Sequence, residues 1–312
     1  AMEDLPTGYG AVLATAAMFT PLSAGVEAAS PKQELAKGVS AAINSANAPA
    51  MFSFARFAWS VLALDLGLPE AEDGIKESLK NDALAAIDSV LKTGVFQDDH
   101  AVAKTQYLEL VHDIMSRYLY HNLRKTTLHR MLTDGSAVRE PYVENGYTIE
   151  IDPAKPLADL FSVFAEIYRQ DPSMTVKCNS MKSFLEIAGD AEHSVGSLVK
   201  LLDLCTILAH STEGARNIFE LLQRSQGAAN WDRLLGALIG YVQRFMSSPE
   251  DLIDAGEEYD PREGDPEMNE ADAEGLRAYL NVFKAVMENA ERADAAHWLM
   301  WLEHRIGASL MD

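Results

Sequence analysis

The residues that could support chemistry are scattered along the chain, and few have the spacing that a reaction or a metal needs. His297 and His304 stand seven positions apart and could share one helix face. A zinc site, however, needs at least a third protein ligand. His112-Asp113 and Glu192-His193-Ser194 contain acid–base residue types, yet adjacent positions point around a helix and not to one face. We therefore expect neither metal binding nor catalysis from them.

Two segments resemble known ligand-binding loop motifs but lack residues that those motifs require. Gly8-Tyr9-Gly10 lacks the third glycine and the preceding strand of a dinucleotide-binding loop. In the acidic run, the position two after Asp260 is Arg262, and Gly264 stands one place early for a calcium loop. No Cys-x-x-Cys or His-Glu-x-x-His motif occurs. Because none of these motifs is complete, we predict a protein that is not an enzyme and that binds no cofactor.

The charge balance is strongly acidic. The chain has 26 Lys and Arg against 47 Asp and Glu, a formal net charge of −21. Such a protein repels nucleic acid unless a local patch overrides its field, so we expect no direct nucleic-acid contact. Basic and histidine side chains do cluster between residues 117 and 130: Arg117, His121, Arg124, Lys125, His129 and Arg130. We interpret this cluster as the solvated C-terminal end of a helix, where positive charge is favourable, with phosphate contact as the alternative.

The cysteine usage and the lack of an Asn-x-Ser/Thr glycosylation acceptor favour a reducing intracellular compartment. Cys178 and Cys205 are the only two cysteines and give no disulfide framework. Cys205 continues a leucine stripe, which indicates a small core residue. The longest apolar-looking run, Ala11 to Ala29, contains Pro21 and Glu27 and is too weak to span a membrane, so no transmembrane segment is expected.

The elements that would position all these residues are helices. Between Ser197 and Phe245, apolar residues recur at steps of three and four in three sets. Polar breaks separate the sets, and Asn230 followed by Asp232 is a good N-terminal cap. Helices joined by such short turns lie antiparallel and cover each other's stripes. The fold class predicted is all-α: an α-solenoid of stacked, irregular HEAT/armadillo-like antiparallel helix pairs.

We expect residues 1–312 to form one continuous segment of such a solenoid, taken from a longer protein. Two stretches interrupt the pattern. Residues 134–156 read as an irregular loop with a candidate β-hairpin around Asn145-Gly146. Residues 247–274 hold twelve Asp and Glu against Arg262 alone, which predicts a flexible acidic loop.

Five segments, in this order, resemble one known family. They are FARFAWSVLALDLG (54–67), LFSVFAEIY (160–168), AHSTEGARNIFELL (209–222), NWDRLL (230–235) and GLRAYL (275–280). The family is that of the giant inner-ring scaffold, or adaptor, nucleoporins, which are karyopherin-like α-solenoids. The similarity is to the N-terminal half of the larger of two paralogues, and it extends from about residue 50 onward.

This resemblance implies a non-enzymatic framework subunit of the nuclear pore complex, located in the nucleus at the nuclear envelope. Its partners would be other nucleoporins, through short linker-nucleoporin peptides, and neighbouring solenoid segments of the same chain. The resemblance assigns no partner-binding residue, so that site is unknown. The alternative function is a karyopherin-like transport-receptor module that binds basic peptide signals. Trp298 and Trp301 could anchor a partner, although the sequence favours core packing for them.

Overall fold

The computed structural model describes residues 49–68, 71–92, 101–123, 142–144, 147–149, 155–191, 193–246 and 270–309. The predictions for residues 1–48, for the basic cluster from Arg124 to Arg130 and for the acidic residues 247–269 fall outside this part of the chain. Within it, the α-helices are α1 (Pro49–Asp65), α2 (Ala71–Lys80), α3 (Ala83–Lys92), α4 (Ala101–Leu123), α5 (Lys155–Gln170), α6 (Met181–Asp190), α7 (Val195–Leu208), α8 (Thr212–Arg224), α9 (Trp231–Met246), α10 (Glu270–Asn289) and α11 (Arg292–Ser309).

The remaining described elements are small. A 3₁₀ helix covers Pro172–Lys177, and two strands, β1 (Tyr142–Glu144) and β2 (Tyr147–Ile149), pair antiparallel. Tyr142 lies opposite Ile149, and Glu144 lies opposite Tyr147. Because these strands are only three residues each, the all-α class is confirmed for the described residues.

The chain divides into two compact units. The first contains Ala1–Leu128 and Arg169–Met181, and the second contains His129–Tyr168 and Lys182–Asp312. In the first unit, α2, α3 and α4 each pack against α1. The α1 residue Phe57 meets Tyr118 of α4 edge-on at 5.2 Å, and both rings are fully buried. Whether both units continue one solenoid stays a prediction.

In the second unit, α10 packs against three other helices. It packs most extensively against α7 and also contacts α8 and α9. The predicted neighbours α7, α8 and α9 do contact each other in chain order. The main partner of α7, however, is a helix that begins 62 residues after α7 ends, a pairing that periodicity could not indicate.

Capping side chains set the helix boundaries in this unit. Asn230 accepts a hydrogen bond from the backbone N–H of Arg233 at 2.8 Å, which confirms it as the cap of α9. Ser211 accepts from the N–H of Gly214 at 3.1 Å at the start of α8. Each cap satisfies a backbone donor that has no partner within its helix.

Two helices begin earlier than the sequence indicated. Residues 155–156 belong to α5 and residues 270–274 belong to α10, although the sequence placed both in loops. Proline is tolerated in the first turn of a helix, which accommodates Pro156. Acidic residues are compatible with the first turn of a helix, because the helix dipole favours negative charge there, so an acidic sequence does not exclude a helix start at residue 270.

Candidate interaction surface

The acid–base pair His112-Asp113 does not form a reactive site. His112 is buried, and burial lowers the pKa of its imidazole, with the positive charge of Lys177 acting in the same direction. Asp113 is exposed and accepts a hydrogen bond from Nε of Arg117 at 2.8 Å. The two side chains therefore lie on different sides of α4.

His193 connects two helices. Its Nε2 lies 2.7 Å from the carbonyl oxygen of Ala188 at the end of α6, so this nitrogen donates the hydrogen bond. Its Nδ1 lies 3.1 Å from Oγ of Ser197 in α7. The hydroxyl of Ser194 caps α7 by accepting from the N–H of Ser197. The described residues of this predicted trio thus hold a helix connection together.

The described part of the basic cluster contacts a carboxylate. Arg117 and His121 of α4 both contact the carboxylate of Asp65 at the end of α1. Their side chains are 36% and 21% exposed. This geometry ties α1 to α4, and the interpretation of the whole cluster as a solvated helix end stays a prediction.

Among the described residues, the remaining candidate residues are not grouped with other side chains that could form a site with them. His297 and His304 are both exposed on α11. In the part of the chain that the structure describes, no three His, Cys, Asp or Glu side chains are grouped as a metal site would require. Cys205 is fully buried, as the sequence predicted, and burial raises the pKa of its thiol to about 12. A thiol with such a pKa stays protonated and unreactive.

None of the described helices combines the length and the apolar character that crossing a bilayer requires.

A closed aromatic cluster joins α8, α9 and α11. Phe219 stacks on Trp298 at 4.4 Å between ring centroids and meets Trp231 at 5.6 Å. The indole N–H of Trp231 donates to the carbonyl of Phe219 at 3.0 Å. Trp298 is 5% exposed, which confirms the core interpretation for this residue. Trp301 is only partly buried, and the guanidinium of Arg305 lies 5.7 Å from the centre of its ring.

The loop between α8 and α9, Ser225–Asn230, is held by hydrogen bonds to the end of α6 and to α10. Toward the end of α6, the N–H of Gln226 donates to the carboxylate of Asp190 at 2.9 Å. Ser225 Oγ and the N–H of Ala228 donate to backbone carbonyls of the same region. Toward α10, the hydroxyl of Tyr279 donates to the carbonyl of Ala228 and accepts from the N–H of Asn230. No pattern in the sequence indicated this role for Tyr279.

The opposite flank of α10 is open. Four apolar residues at spacings of four, three and four form what we call the open stripe: Leu276, Leu280, Phe283 and Met287. Leu280 is 42% exposed, and the other three are partly buried. On the closed flank, Val282 and Val286 are fully buried. The apolar arc of α10 is thus wider than the area that the described helices cover. The width of this arc could have been read from the sequence.

A second exposed apolar patch lies on α11. Leu299 is 52% exposed and Met300 is 69% exposed, next to the partly buried Trp301. Single exposed apolar residues are normal on proteins, whereas grouped ones indicate a contact surface. Like the open stripe, this pair carries no acid–base or metal-binding group.

The described residues therefore define an all-α protein of packed helices whose candidate site is an exposed apolar surface. No family model matches the chain. The chain is similar to the Nuclear pore complex protein NUP205 of Arabidopsis thaliana, with 26% identity over 224 residues. The match covers 70% of this chain and spans 11% of the relative's length. It confirms the resemblance to the larger nucleoporin; the assignment to its N-terminal half stays a prediction.

Proposed function

We propose that this chain is a scaffold or adaptor segment of the inner ring of the nuclear pore complex, and that it binds short segments of linker nucleoporins. The observation that carries this proposal is the similarity to NUP205 over 224 residues. That similarity also supports a location at the nuclear pore, in the nuclear envelope. The partners are other nucleoporins and neighbouring solenoid segments of the same protein.

The described surface is suited to such a role. A peptide that binds a helical array inserts a few apolar side chains between helices, and a few of these anchors carry most of the binding free energy. The open stripe and the Leu299–Met300 patch both offer apolar contact area without reactive groups. A protein of this kind acts through shape and contact and not through catalysis.

A peptide pull-down tests the proposal. Overlapping peptides that tile the linker nucleoporins of the source organism would be immobilised and exposed to the purified chain, with scrambled peptides of equal charge as controls. We expect one or a few adjacent peptides to retain the chain. Equal retention by native and scrambled peptides would contradict the proposal, as would a fluorescently tagged full-length protein that is absent from the nuclear rim.

The net charge of −21 favours a second candidate, a transport-receptor-like module that recognises basic peptide signals. Binding of this kind weakens steeply as salt screens the charges. A basic signal peptide would then lose most of its affinity between low and physiological salt. Retention of linker peptides at physiological salt, with no retention of basic signals, would decide against this candidate.

A further inference from the structure

We draw no further inference here: the strongest candidate, the exposed apolar patch of Leu299 and Met300 on α11 beside the partly buried Trp301, is a helix face for which nothing in the described part of the chain shows what covers it.

Discussion

The two flanks of α10 carry the same kinds of residues but differ in how much of their side chains is exposed. On the closed flank, Val282 and Val286 have no exposed surface, and Tyr279 is 6% exposed. On the open flank, Leu280 lies at the next position along the chain and is 42% exposed. Both flanks are apolar and both follow helical spacing. The comparison shows that an apolar stripe is buried or left exposed according to the helices that pack against it, and not according to its own composition.

Phe219→Ala should give the largest effect, because it opens a cavity in the closed aromatic cluster. Removing a buried phenylalanine side chain costs about 3–5 kcal/mol. Urea unfolding followed by tryptophan fluorescence would measure the loss, since Trp231 and Trp298 both contact Phe219. A loss below about 1 kcal/mol would mean that this cluster is not tightly packed.

Gly227→Ala should give the next largest loss of stability. A Cβ atom there would lie 2.4 Å from the carbonyl oxygen of Gly189 and 2.6 Å from that of Ala191, so the loop must move away from α6. Overpacking of this kind costs about 1–3 kcal/mol.

The matched control is Gly236→Ala in α9, where a Cβ meets nothing within 4 Å. Alanine is a better helix former than glycine by about 0.5–1 kcal/mol, so this variant should gain stability. The two substitutions should therefore change the free energy of unfolding in opposite directions. A change of the same sign in both would contradict the close approach at Gly227.

Tyr279→Phe removes the hydroxyl that bridges Ala228 and Asn230. The buried carbonyl of Ala228 then loses its partner, which costs about 1–2 kcal/mol at neutral pH. Burial raises the pKa of Tyr279 from 10.0 to about 12. A folded-state pKa above the unfolded one gives stability that is complete below pH 10 and is lost as the pH rises toward 12.

The difference in free energy of unfolding between the native chain and Tyr279→Phe should therefore shrink between about pH 10 and pH 12. Denaturant titrations of both proteins across this range would measure it. A difference that is constant with pH would show that the Tyr279 phenol titrates alike in the folded and unfolded states.

Leu280→Ala should have the smallest effect on stability. Its side chain is largely exposed, and alanine is as good a helix former, so the free energy of unfolding should change by less than about 0.5 kcal/mol. The same urea titration measures it. A loss near that of Phe219→Ala would place Leu280 in the core and remove the distinction between the open and closed flanks.

Much of the secondary structure could be predicted from the sequence. The three stripes between Ser197 and Phe245 became α7, α8 and α9, and Asn230 caps α9 as predicted. Helical periodicity and capping act between residues a few positions apart, which is why they can be read in one chain. The helix starts at Lys155 and Glu270 were missed, because charged and proline residues are as compatible with a first helical turn as with a loop.

The sequence by itself determined that this chain is helical, acidic and without the spacing of a catalytic or metal-binding motif. Only the tertiary structure decided that α7 takes α10 as its main partner, that Tyr279 holds the Ser225–Asn230 loop, and that one flank of α10 stays open. These outcomes depend on contacts between residues far apart in the chain. The free energy of such contacts comes from the surfaces that meet, and a local pattern of residues does not record which surfaces those are.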